Sequence, residues 1–271
     1  MNNSIEILRP GAVAHHARVA LFDFDGTLSI IRSGWEDVMI PMMVEALVEL
    51  KTGESEESLT VVVKEFVGRL TGKQTIYQMI ELCDQINARG GTPADPLVYK
   101  HRYLDLLLAR IQDRLDDLRS GRVPPDQWLV PGSRGLLEGL KERGFKLYLA
   151  SGTDDQYVKD EANLLDVTRY FDGGVYGALD DYKTFSKAIL IKSLIEGAGF
   201  RGEEFLGFGD GYVEIENVKQ VGGITVGIAS DEPGCQIVNA WKRDRLIKVG
   251  ADYIVPNFAA HEELFSLLFP N

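Results

Sequence analysis

Two carboxylates, Asp23 and Asp25, close an apolar run in the stretch Leu21-Phe22-Asp23-Phe24-Asp25-Gly26-Thr27-Leu28. Residues two apart on an extended chain point the same way. Two acids held that close need a metal ion, a shared proton or a strong set of donors between them. The pattern suggests a metal-dependent site in which one carboxylate is free for covalent or acid–base work. Used alone, Asp-Gly-Thr is also an ordinary turn sequence.

Three more segments place polar groups beside apolar runs. Ser151-Gly152-Thr153 follows Lys146-Leu147-Tyr148-Leu149-Ala150, so a hydroxyl and backbone amides at a strand-to-helix junction are available for phosphate oxygens. Gly209-Asp210-Gly211-Tyr212-Val213-Glu214 follows Phe205-Leu206-Gly207-Phe208 and offers two acids four apart across a glycine-rich turn. Mg²⁺ favours such a set of few carboxylates, waters and substrate oxygens. Lys183 and Lys187 lie at the start of a helical pattern, where the helix dipole disfavours a base. A lysine there is out of place unless it answers an anion. The histidines, His15, His16, His101 and His261, show no metal-ligand spacing. The chemistry therefore rests on carboxylates, hydroxyls and lysines.

These residues must be positioned by alternating elements. Residues 19–22, 145–150, 205–208, 224–228 and 253–255 read as buried strands. Helical patterns at 134–142, 156–165, 186–196, 215–221 and 260–268 alternate with them. The alternation predicts an α/β fold with a mostly parallel, Rossmann-like sheet covered on both faces. Right-handed crossovers then bring the carboxyl ends of the strands to one edge, where ligands bind in such sheets. The stretch 30–130 breaks the rhythm, with helices expected at 35–50, 58–70, 75–86 and 103–118. The expected organisation is a core of 1–29 and 131–271 interrupted by a helical cap of 30–130.

The chain has 271 residues and a formal net charge of −12, which argues against nucleic acid or an anionic membrane as partner. No stretch approaches the roughly 18 apolar residues of a membrane span. Cys83 and Cys235 are far apart and form no CxxC pattern, which fits a reducing compartment. We expect a cytoplasmic protein, with no expectation for its oligomeric state.

The ordered set Asp23-x-Asp25-Gly26-Thr27, Ser151, Lys187 and Gly209-Asp210-Gly211 with Glu214 resembles the haloacid dehalogenase superfamily, most closely its Mg²⁺-dependent phosphatases. The insert after the first motif resembles that family's helical cap of the first type. The resemblance implies that Asp23 is the nucleophile and Asp25 the general acid, then base. It implies Mg²⁺ held by Asp23, the backbone carbonyl of Asp25 and Asp210, with Glu214 acting directly or through water. Thr27, Ser151 and Gly152 would bind the phosphoryl group. Of the two lysines, Lys187 is the better match, because Ala188-Ile189-Leu190 begins the apolar helix there. Family members that act on halides or carbon–phosphorus bonds usually lack an acid at the position of Asp25, so its presence favours phosphate esters. The implied activity is hydrolysis of a small phosphorylated metabolite, a sugar or organic-acid phosphate. A phosphomutase with the same core and a non-catalytic phospho-ligand protein are the alternatives. Substrate choice would fall to the insert, with Arg32, Trp35, Lys73 and Gln74 as the first residues to test.

Overall fold

A computed structural model describes residues 5–184 and 186–270. Seven strands form one sheet: β1 (Glu6–Ile7), β2 (Val19–Phe22), β3 (Lys146–Asp154), β4 (Gly174–Ala178), β5 (Phe205–Gly209), β6 (Ile224–Ile228) and β7 (Tyr253–Val255). Their order is β1-β7-β6-β5-β2-β3-β4, and every pairing is parallel except β1 with β7. Ten helices accompany them among the described residues. Four are α1 (Glu36–Val48), α2 (Glu56–Leu70), α3 (Thr75–Ala88) and α4 (Pro96–Arg119). The rest are α5 (Ser133–Glu142), α6 (Asp155–Leu164), α7 (Lys187–Ala198), α8 (Tyr212–Gln220), α9 (Ala240–Lys248) and α10 (His261–Leu268). No helix among the described residues is long and apolar enough to cross a membrane.

By packing, the chain divides into two compact units: Met1–Ser33 with Leu115–Asn271, and Gly34–Arg114. The first is the α/β unit. Its central strand β2 is the apolar run Val19-Ala20-Leu21-Phe22, buried at every position. That is the composition of a parallel strand covered on both faces. Phe22 stacks on Phe208 of β5 with ring centroids 4.4 Å apart. The register pairs Phe22 with Leu149 on one side and Phe208 on the other. Asp23, Ser151 and Asp210 therefore leave the same edge of the sheet. The chain proceeds from β2 to β3 in one direction and later places β5 on the other side of β2. Asp23 and Asp210 thus flank the point where the strand order reverses, the usual ligand crevice of open α/β sheets.

The second unit is helical and lies within the stretch 30–130. Its core is built from apolar stripes such as Leu59, Val63, Phe66 and Val67 of α2 and Ile76, Met79, Leu82 and Cys83 of α3. The Ser55 hydroxyl caps α2 by accepting the Ser58 N–H at 3.2 Å. Residues 30–33 and 115–130 pack with the α/β unit instead. Ser29 bridges Leu129, the Ile30 N–H donates to the Trp128 carbonyl and the Val130 N–H to the Leu28 carbonyl, both at 2.9 Å.

The expected strands and helices of the α/β unit are present, with shifts at their ends. The sequence reading missed β1, β4 and α9. The first is only two residues long, and β4 is an edge strand with glycine at two of five positions. The third, α9, buries only Leu246 and so lacks an apolar stripe.

Candidate active site

Asp23 follows β2 and Lys187 opens α7, whose N-cap is the Ser186 hydroxyl, an acceptor for the Ile189 N–H at 3.1 Å. Lys187 Nζ donates to Asp23 Oδ1 at 2.8 Å, with both residues about 5–6 % exposed. It also pairs directly with Glu214 of α8, which is wholly buried. The base expected to answer an anion thus answers two. Lys183 is exposed and lies against Tyr182.

Asp25 sits beside a different group of residues. Its Oδ2 accepts the hydroxyls of Thr153 at 2.7 Å and Ser151 at 3.3 Å. Ser151 Oγ in turn accepts the Thr153 N–H at 2.9 Å, an arrangement that orients its proton toward Asp25. Arg32 Nε lies 3.9 Å from Asp25 Oδ1, but its guanidinium is held by Glu161 of α6. The fork comprises Nε at 3.0 and 3.1 Å and Nη2 at 2.7 Å from the Glu161 carboxylate.

Asp210 is fixed from two directions. Its N–H donates to Thr27 Oγ1 at 2.9 Å, which ties the two acidic loops together. Its Oδ2 accepts Lys242 Nζ of α9 at 2.7 Å, and Lys242 is shared with Glu232 Oε1 at 2.5 Å. Glu232 Oε2 accepts the Ser33 hydroxyl at 2.9 Å. Gly26 lies against this cluster with φ +77°. A Cβ there would stand 2.3 Å from Asp210 Oδ2 and 2.8 Å from Glu232 Oε1, so a larger residue would strain the backbone and displace both carboxylates.

These surroundings make the opening pair of acids unlike one another. Burial pushes Asp23 up to about 7 from an ordinary value near 3.8. Lys187 pulls the other way, while Asp210 and Asp25 add to the rise. Burial likewise lifts Asp25, to about 6, opposed by Arg32 and the Thr153 hydrogen bond and aided by Glu161 and Asp210. Burial and the neighbouring acids at Lys242 act against each other; the acids prevail and hold it charged far into the alkaline range.

Six carboxylates, of Asp23, Asp25, Glu161, Asp210, Glu214 and Glu232, thus face three cations, Arg32, Lys187 and Lys242. That negative excess suits a divalent cation. Among the described residues no three His, Cys, Asp or Glu side chains converge on one point. Asp23 and Asp210 are near enough for their charges to interact, which offers two side-chain ligands. A hard cation that keeps several waters fits so sparse a set, and a softer ion that wants a closed cage does not. Glu214, an expected ligand, pairs with Lys187.

Of the expected site residues, Asp23, Asp25, Thr27, Arg32, Ser151, Lys187, Asp210 and Glu214 join this set of contacts. Gly152 lies beside Ser151 in β3, half-buried, where the pairing with β4 shifts register. Lys73 belongs to the helical unit, exposed and over the Tyr77 ring at 5.6 Å. The sequence reading missed Ser33, Glu161, Glu232 and Lys242. For Glu161 a signal was present: it shares the buried face of α6 with Val158 and Ala162, with Leu165 buried just beyond, and an acid in an apolar stripe implies a partner.

The family of haloacid dehalogenase-like hydrolases matches residues 17–222, a span that includes Asp23, Asp25, Ser151, Lys187, Asp210 and Glu214. The chain belongs to that family. Solved structures similar to this hydrolase are numerous and distant in sequence. One is a predicted phosphoglycolate phosphatase from Haemophilus somnus, at 16 % identity and TM-score 0.56, covering 92 % of this chain and 98 % of that one. Another is β-phosphoglucomutase from Clostridium difficile, at 13 % identity and TM-score 0.62, covering 93 % and 97 %. A third is a Bacillus subtilis family member bound to magnesium, at 15 % identity and TM-score 0.54, covering 93 % and 98 %. At such identities the likeness concerns the hydrolase's fold. No curated protein matches its sequence.

Proposed function

We propose that this hydrolase is a Mg²⁺-dependent phosphatase for a small phosphorylated metabolite, a sugar or organic-acid phosphate, working through a phosphorylated Asp23. The observation that carries the reading is the contrast between Asp23 and Asp25. Two carboxylates two residues apart have been given different environments, one facing a lysine and the other hydroxyls, and this is how paired acids acquire different jobs.

Asp23, with Lys187 at 2.8 Å, is the nucleophile. Its oxygen attacks phosphorus, the bond to the ester oxygen breaks, and the leaving oxygen takes the proton of the Asp25 carboxyl. An alcohol and an acyl phosphate on Asp23 result. Asp25, now a carboxylate, removes a proton from water as that water attacks phosphorus. The acyl–phosphate bond breaks, and Asp23 and inorganic phosphate are released. The rise of Asp25 to about 6 keeps a usable protonated fraction near neutral pH. The Lys187 ammonium lets an anionic ester approach an anionic nucleophile, and the Ser151 side offers hydroxyl and amide donors. Mg²⁺, held by Asp23, Asp210 and the backbone carbonyl of Asp25, would supply charge neutralisation on the phosphoryl oxygens. Glu214 serves as counter-ion of Lys187.

The test is a phosphate-release screen over metabolite phosphates with Mg²⁺, with chelator, and with Asp23→Asn as blank. The reading expects release that needs the cation and vanishes in the variant. Turnover by Asp23→Asn would reject the covalent route, and an isomeric sugar phosphate in place of free phosphate would make the protein a mutase.

A further inference from the structure

The two oxygens of Asp25 are not equivalent. Oδ2 accepts two hydroxyls, from Thr153 and Ser151. Its lone pairs are used, so it is a poor seat for a proton. Oδ1 is buried and has no hydrogen-bond partner. It is the oxygen that can carry a proton to the leaving group. Its cationic neighbour, Arg32 Nε at 3.9 Å, is beyond hydrogen-bond length.

That separation is maintained by Glu161. The fork between Arg32 and Glu161 has three contacts of 2.7 to 3.1 Å, with both side chains at most 5 % exposed. The Tyr157 ring lies 5.6 Å from the guanidinium. A buried ion pair of this kind is weak evidence for stability, since apolar replacement is often neutral. Its place in the fold points elsewhere. Arg32 follows Asp25 by seven residues, and Glu161 lies on α6, the helix that continues from the Ser151–Thr153 segment. Without Glu161, the guanidinium loses its fork and can close on Oδ1, the oxygen that must face the substrate; without both side chains, Oδ1 loses the neighbour at 3.9 Å that limits how far the carboxyl can turn.

We propose that Arg32 and Glu161 are positioning residues for Asp25: the fork holds the guanidinium beside Oδ1 without engaging it, so that Oδ1 stays aimed at the leaving oxygen. The inference rests on the acid–base reading of Asp25. Arg32 then acts on the reaction through Asp25, and its role as a substrate contact is given up.

The experiment compares kcat/KM for the best alkyl phosphate of the screen with that for 4-nitrophenyl phosphate. This ratio reports steps up to phosphorylation of Asp23, and the nitrophenolate leaves without needing a proton. The variants are Glu161→Gln and the paired apolar replacement Arg32→Met with Glu161→Leu, the second chosen because it leaves no unpaired buried charge. Asp25→Asn is the reference. The proposal expects a loss of about 10- to 100-fold on the alkyl ester and less than about 3-fold on the nitrophenyl ester, within the range of general acid catalysis. Equal losses on both esters in the paired variant, or none on either, overturn it. A loss confined to substrates with a second anionic group returns Arg32 to substrate binding and also overturns it. If Asp25→Asn does not discriminate between the esters, the acid role of Asp25 falls, and the proposal with it. If Asp25→Asn discriminates and the paired variant does not, only the positioning role falls.

Discussion

Replacing Lys187 with Met would test the electrostatic centre of the site. The ammonium is the shared cation of Asp23 and Glu214, and side-chain exposures are 5 % for Lys187, 8 % for Asp23 and 0 % for Glu214. Removing it leaves two buried carboxylates without compensation. Breaking a buried pair by deleting one partner costs about 3–5 kcal/mol. At roughly 2–4 °C per kcal/mol for units of 150–250 residues, Tm should fall by about 10 °C in chelator. A buried acid deprived of its cation neutralises itself by taking up a proton, so the loss should be larger at pH 8 than at pH 5. Adding Glu214→Leu removes one of the stranded charges and should recover most of the lost stability. Turnover should not return, because Asp23 still lacks the cation that admits the substrate, a deficit of roughly a hundredfold or more in kcat. Differential scanning calorimetry and phosphate release, run on both variants, separate the two effects. A single variant with unchanged Tm would refute the buried-pair argument, and an active double variant would refute the role assigned to the ammonium.

Two further outcomes follow from the same geometry. Asp25 is lifted from 3.8 to about 6, so the folded state binds more protons than the unfolded chain between those values. Its contribution to stability is therefore present at low pH and lost as pH rises through that window. The difference of about two units corresponds to at most about 3 kcal/mol. Metal-free Asp25→Asn should be more stable than the parent at pH 7 by up to that amount in urea unfolding, with a flatter profile between pH 4 and 7; a less stable variant would contradict it. Gly26→Ala introduces a Cβ at 2.3 Å from Asp210 Oδ2 on a residue with φ +77°. It should cost about 1–2 kcal/mol from the backbone alone and remove the stabilisation by Mg²⁺ in a thermal shift, and an undiminished Mg²⁺ shift would refute the placement of Asp210.

Asp23, Lys187 and the motif acids were legible because each adjoins a strongly apolar run whose burial is a property of the run itself. Val19-Ala20-Leu21-Phe22 could only be an interior strand, and parallel topology then determined which edge Asp23 would occupy. The supporting shell was hidden for a different reason. Lys242 lies on α9, Ala-Trp-Lys-Arg-Asp-Arg-Leu-Ile-Lys, where five of nine side chains are charged and no period marks the inward face. Its partners Asp210 and Glu232 lie 32 and 10 residues away, and the Arg32–Glu161 pair spans 129. Such pairings depend on how helices are laid across the sheet, which local pattern does not encode. The pairing of Glu214 with Lys187 was hidden for a related reason: its spacing of four residues from Asp210 does not tell that the helix turns it toward Lys187.

The backbone bonds between Leu28, Ile30, Trp128 and Val130 have a consequence for how such a chain diversifies. They hold the two ends of the long insertion together inside the α/β unit, so the core meets the insertion as a loop already closed. Closure entropy grows only with the logarithm of loop length. A module of another size could therefore be exchanged between these anchor points at little expense to the core, leaving the Asp23–Lys187 centre intact. The junction thus makes the inserted segment a separable part, joined to the α/β unit through a few backbone bonds.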